Sequence, residues 1–130
     1  MKKTLILTLT FMLLSIVSFA QNQTNQHNTT QENNIYQLFP TQNYWTFIKL
    51  DTRNGKMWQV HFSVKGDGAT GELILNSIPL ANENEEINGR FMLYPTNNIY
   101  NFLLLDQIDG SVYQAQWSME EKYRGIIPIK

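Results

Sequence analysis

From Tyr36 onward the chain alternates apolar and polar positions in short runs broken by Asp, Asn and Gly, and it does so twice. Residues 36–63 read YQLFPTQNYWTFIKLDTRNGKMWQVHFS, and residues 91–118 read FMLYPTNNIYNFLLLDQIDGSVYQAQWS, aligned without a gap at an offset of 55 residues. Aromatic and β-branched residues crowd both stretches, which favours strands. In the first copy the run 44–50 is followed by Asp51-Thr52-Arg53-Asn54-Gly55 and then by the run 56–63. The second copy repeats this chemistry from Asp106 to Gly110. Glycine at the end of a short loop takes a left-handed backbone that a Cβ would strain. The leading Asp can accept backbone N–H bonds within the turn. Each copy is therefore predicted to contain a β-hairpin.

If Thr52 to Gly55 form a four-residue loop, Asp51 pairs with Lys56 and the register follows. One face then carries Trp45/Phe62, Phe47/Val60 and Lys49/Trp58, with Tyr100/Trp117, Phe102/Ala115 and Leu104/Tyr113 in the second copy. This nearly all-apolar face is expected to point at the core in both copies. The other face pairs Thr46/His61, Ile48/Gln59 and Leu50/Met57, then Asn101/Gln116, Leu103/Gln114 and Leu105/Val112. It is apolar near the turn and polar far from it, the pattern of a partly wet face. Short segments before Pro40-Thr41 and Pro95-Thr96 precede the hairpins, and Ile78-Pro79-Leu80 and Ile127-Pro128-Ile129 follow them.

The repeats, about 36–80 and 91–129, thus read as three-stranded units. A lone hairpin is marginal in water because nothing covers its apolar face. Two copies can cover one another. The expected fold is all-β: two tandem three-stranded units forming a pseudo-twofold antiparallel sandwich or small barrel. Two units are too few for an ordinary propeller of about four or more blades. No segment has a helical period, and 118–122 allows at most one turn.

The stretch Leu50-Asp51-Thr52-Arg53-Asn54-Gly55-Lys56-Met57-Trp58 resembles the L-D-T-x-T-G-x-x-W hairpin of small exported bacterial proteins of uncharacterised function. It also resembles the turn in single blades of quinoprotein-type propellers. The second copy departs from it, with Gln107 at the Thr position and Tyr113 at the Trp position. The resemblance implies a hairpin and brings no catalytic residue with it.

The first 34 residues are of another kind. Lys2 and Lys3 precede an uncharged apolar stretch, 4–17, and Ser18 and Ala20 are small residues at the −3 and −1 positions of a cleavage site. This is the secretory signal pattern over 1–20. Residues 21–34, QNQTNQHNTTQENN, hold no aliphatic or aromatic side chain and read as a disordered Gln/Asn-rich tether. The expected location is periplasmic or secreted, with no membrane insertion after cleavage. The chain has no cysteine, so neither a disulfide nor a lipidated Cys is available, and one domain, 35–130, must be held by its core alone.

That domain carries eight basic and ten acidic residues, a net charge of −2, with no basic stripe to track a phosphate backbone. Nucleic-acid binding is excluded as a class on that ground. Asp51-x-x-Asn54-Gly55 and Asp106-x-x-Asp109-Gly110 fit turn caps, because a calcium loop also needs further oxygen ligands and a Glu at its twelfth position. The Gly-rich loop 65–71 lacks phosphate-loop spacing. His61 is the one histidine of 35–130, so no zinc set forms around it. Ser63, His61 and an Asp could compose a Ser-His-Asp triad, but no nucleophile-elbow motif accompanies them. Glu83, Glu85 and Glu86 could pair as glycosidase carboxylates, yet their polar loop reads more simply as solvated.

With no cofactor or metal implied, the expected function is non-catalytic recognition of an unknown protein partner, as in an inhibitor or immunity protein. Two candidate partner-binding surfaces follow. One is the acidic loop with Glu83, Glu85 and Glu86. The other is the polar end of the outer sheet face: Thr46, Gln59, His61, Asn101, Gln114 and Gln116. A glycan-binding module of the cell envelope is the alternative, disfavoured because the aromatic residues are assigned to the core. A small hydrolase comes third.

Overall fold

The turns form as the Asp and Gly positions dictate. In the first, Asp51 Oδ1 accepts the Arg53 backbone N–H, the Asp51 carbonyl accepts that of Gly55, and Gly55 has φ 77°. In the second, Asp106 Oδ1 accepts from the Ile108 and Asp109 N–H groups, the Asp106 carbonyl accepts from Gly110, and Gly110 has φ 79°. Each turn reverses the chain onto itself in the expected register, with Thr46 opposite His61 and Asn101 opposite Gln116.

The computed structural model describes residues 34–65 and 70–130. The signal pattern at 1–20 and all of the tether but Asn34 lie outside the described residues, as does the centre of the Gly-rich loop. Eight strands follow in chain order: β1 Tyr36–Pro40, β2 Thr46–Asp51, β3 Met57–His61, β4 Gly71–Asn76, β5 Phe91–Pro95, β6 Asn101–Asp106, β7 Val112–Gln116 and β8 Gly125–Ile129. Helix among the described residues is limited to single 3-10 turns at Glu83–Glu85 and Glu121–Tyr123.

The strands make two antiparallel four-stranded meanders, β1-β2-β3-β4 (sheet 1) and β5-β6-β7-β8 (sheet 2), neither closed into a barrel. The expectation of three-stranded units is thus corrected. The counterpart of β8 is β4, Gly71–Asn76, and not Ile78-Pro79-Leu80, which lies beyond it. The shared Ile-Pro pattern misled because Pro128 occupies an edge strand opposite Tyr113, where no donor is required. A bulge between Met57 and Trp58 also shifts the β3–β4 register, setting Asn76 opposite Met57.

The sheets pack on non-equivalent faces. Sheet 1 buries Thr46, Ile48, Leu50, Met57, Gln59 and Leu75. Sheet 2 buries Phe91, Leu93, Phe102, Leu104, Ala115 and Trp117. The offset of 55 maps the sheet 2 set onto Tyr36, Leu38, Phe47, Lys49, Val60 and Phe62, which is the outward face of sheet 1. The units therefore stack front to back. A pseudo-twofold arrangement would bury equivalent positions in both copies, so that expectation is also overturned. The assigned core face is correct for sheet 2 and inverted for sheet 1. Both faces of the repeat are apolar near the turn, so alternation could not choose between them. Lys49, salt-bridged to Glu72 of β4 at 2.6 Å, keeps its face of sheet 1 toward water.

Thr52 fastens the stack at the turn end. Its carbonyl accepts from Phe91 N–H, its Oγ1 accepts from Gly89 N–H, and Asn54 Nδ2 donates to Glu86. At the far end Gln59 Oε1 accepts from Ser118 N–H, and Arg124 Nε donates to the Ile74 carbonyl.

Candidate recognition surface

The front-to-back stack leaves a row of aromatic residues outside. Strand alternation sends Phe47 and Lys49 of β2, Trp58 and Val60 of β3, and Leu38 of β1 to the same side. Trp45 and Phe62 continue that side just past the strand ends, where Phe62 N–H donates to the Trp45 carbonyl. Trp45 is 47% exposed, and Tyr36, Leu38, Phe62 and Ile74 are exposed too. Their rings meet edge on: Tyr36 and Trp58 at 6.4 Å, Trp45 and Phe62 at 5.4 Å. Lys49 Nζ lies 4.7 Å from the centre of the Trp58 ring while it binds both oxygens of Glu72. The surface is an aromatic sheet face with a neutralised charge pair at its middle.

The outward face of sheet 2 is more aliphatic. Tyr94, Leu103, Ile127 and Ile129 are exposed there, beside half-buried Asn101, Gln114 and Gln116. Gln114 Nε2 donates to Asn101 Oδ1 at 3.3 Å. A shallow depression of about 340 Å³ opens beside them, lined by Gln114, Gln116, Tyr123, Arg124, Gly125 and Ile127 among others.

The candidate residues named from sequence fall into three places. Thr46 and Gln59 are interior, 2% and 0% exposed, so they belong to the packing between sheets and not to a docking surface. They were misplaced by the same inversion of sheet 1. His61 is half-buried beside them: Nδ1 pairs with Thr46 Oγ1 at 3.1 Å and Nε2 with Gln59 Nε2 at 2.9 Å. Ser118 N–H fixes the Gln59 carbonyl oxygen, so the Gln59 amide nitrogen faces His61 and can only donate. Nε2 of His61 is then an acceptor, which leaves the ring proton on Nδ1. Burial, and next the positive charge of Arg124, lower the His61 pKa below its ordinary value.

Ser63 Oγ donates to the Lys65 carbonyl, and both His61 nitrogens are engaged elsewhere, so the Ser63–His61 bond of a triad is not made. Asn101, Gln114 and Gln116 sit together on the outward face of sheet 2, as expected for that sheet. Glu83 and Glu85 are exposed on their 3-10 turn. Glu86 is half-buried and spent on Asn54 and on Arg53, the latter at 3.9 Å, so the acidic trio is not one patch. Among the described residues no group of three or more His, Asp or Glu side chains gathers to hold a metal.

The outward aromatic face of sheet 1 is what the sequence reading missed. The signal that could have found it was Lys49, a charge written into an otherwise apolar row where the second copy has Leu104. No family model, curated protein or solved structure matches this chain.

Proposed function

We propose that residues 35–130 form an exported, non-catalytic domain that recognises a protein partner through the outward face of sheet 1, in the manner of an inhibitor or immunity protein. The observation that carries this reading is the row Tyr36, Leu38, Trp45, Phe62 and Ile74, all exposed on one sheet face. Aromatic area held rigidly in solvent is the composition of an interface core, and tryptophan and tyrosine anchor most binding energy when a partner covers them. Export rests on the Lys2-Lys3, apolar, Ser18-x-Ala20 pattern at the start of the sequence.

The test compares wild type with the double variant Trp45→Ser/Phe62→Ser, both immobilised and exposed to native envelope extract. A polypeptide held by the wild type and released by the folded variant is the expected result. Equal retention by both, or turnover of a hydrolase substrate by the wild type, sinks the reading. A glycan ligand is the second reading, favoured by Tyr44, 88% exposed next to Trp45. Aromatic faces beside Asn and Gln side chains can stack on sugar rings. The reason for setting it aside, burial of these aromatics, does not hold for sheet 1. Binding on a glycan array that Trp45→Ser abolishes would select it.

A further inference from the structure

We propose that the outward face of sheet 1 docks on the outward face of sheet 2 of another copy of this chain, repeating between molecules the junction already made within one. This names the partner of the surface proposed above and rests on that reading.

Inside the chain, the inner face of sheet 1 meets the inner face of sheet 2. Shifted by one repeat, the inner face of sheet 1 becomes the outward face of sheet 2: Ile48, Leu50 and Gln59 become Leu103, Leu105 and Gln114. The inner face of sheet 2 shifts to the outward face of sheet 1: Phe102, Ala115 and Trp117 become Phe47, Val60 and Phe62. The two uncovered faces are thus a second copy of the two covered ones, in the same hairpin register and largely the same chemistry, with the β3–β4 bulge and the Lys49–Glu72 pair as the departures.

The far end of the junction agrees in detail. Within the chain, Gln59 Oε1 accepts from Ser118 N–H, and Met119 Sδ lies 3.9 Å from Gln59 Nε2. One repeat on, Gln114 faces outward and its Oε1 accepts no hydrogen bond from the described residues, while Ser63 and Val64 occupy the places of Ser118 and Met119. Val64 is 78% exposed, and an open depression lies beside Gln114 and Ile127. Docking seats Val64 there and gives Gln114 the Ser63 N–H.

Because the two faces differ, the contact is head to tail, and such contacts either close into a ring or grow. Radial arrangements of four-stranded sheets close at about four to eight sheets, which is two to four copies of this chain. Lys49 and Glu72 temper the contact. They stand where sheet 2 has Leu104 and Ile126, and burying the pair costs desolvation that a hydrophobic pair would not. The intermolecular junction is accordingly weaker than the internal one.

The experiment is sedimentation velocity on the chain from Gln21, over a concentration series, with two face variants. Trp45→Arg/Phe62→Glu breaks the sheet 1 face, and Leu103→Arg/Ile127→Glu breaks the sheet 2 face. The expected result is concentration-dependent assembly of the wild type, monomers for each variant alone, and a 1:1 dimer on mixing the two. That complementation also shows that both variants are folded. Lys49→Leu/Glu72→Ile is expected to tighten assembly by about tenfold or more. A wild type that stays monomeric while Lys49→Leu/Glu72→Ile also stays monomeric overturns the inference. So does a dimer that survives Leu103→Arg/Ile127→Glu, which would mark a symmetric contact between sheet 1 faces. Either result leaves the recognition reading standing if the face still captures a different protein, and capture of that kind does not support self-assembly.

Discussion

A Cβ placed on Gly55 would lie 2.8 Å from Leu80 Cδ1, whereas one on Gly110 would meet nothing within 4 Å. Both residues sit near φ +78°, so alanine costs each turn about 1 kcal/mol of backbone strain or slightly more. Only Gly55→Ala must also displace Leu80. Urea midpoints are expected to fall in the order wild type, Gly110→Ala, Gly55→Ala. These glycines were legible because a left-handed turn position admits few other residues. His61 was legible as a polar residue opposite Thr46 on the face assigned to the outside; its burial was not, since Ser118, which orients Gln59, and Arg124 arrive from the other repeat. Its lowered pKa means that the unfolded chain takes up the proton first. Stability is whole above about pH 6.5 and is lost as pH falls through that value toward the folded pKa. Asp51 and Asp106 act lower. Burial raises both, but hydrogen bonds and charge from Arg53 and Arg90 outweigh it and hold them below the usual range. Their loss therefore begins only beneath about pH 4. Between about pH 7.5 and 5 the wild-type midpoint is expected to decline, and His61→Gln, the residue of the second copy, is expected to flatten that decline.

At the scale of elements, the hairpins and the core of β8 were written plainly and β4 was not. The loop from Thr52 to Gly55 sets a pairing that propagates along β2 and β3 without further information. β4 follows a long Gly-rich loop and is bulged against β3, so neither loop length nor alternation announces it. Which face of each sheet is buried depends on what arrives from the other repeat, and that is not a local property. Tryptophan reports the difference. Trp117 is 4% exposed and donates to the Ile99 carbonyl at 2.9 Å, while Trp58, the counterpart of Tyr113 in the other sheet, looks outward beneath Lys49. Trp117→Ala is expected to cost about 3–5 kcal/mol, enough to unfold most of the population, and Trp58→Ala about 1 kcal/mol. Thermal unfolding of the two variants followed by circular dichroism separates them. Comparable losses would mean that the burial of the two sheets is assigned wrongly.

For the molecule as a whole, the duplication decides the architecture and the direction of stacking decides the surface. The doubling and the all-β class follow from sequence; the front-to-back order follows from one lysine among aromatics and from a threonine, Thr52, that grips the next repeat at Gly89 and Phe91. In genetic terms that order has a further consequence. Two repeats that stack front to back share one kind of junction, whatever their number. Recombination between the two halves of such a gene adds or removes a whole sheet while keeping every junction of the same type, so the length of the stack is free to drift under selection without a new interface having to arise.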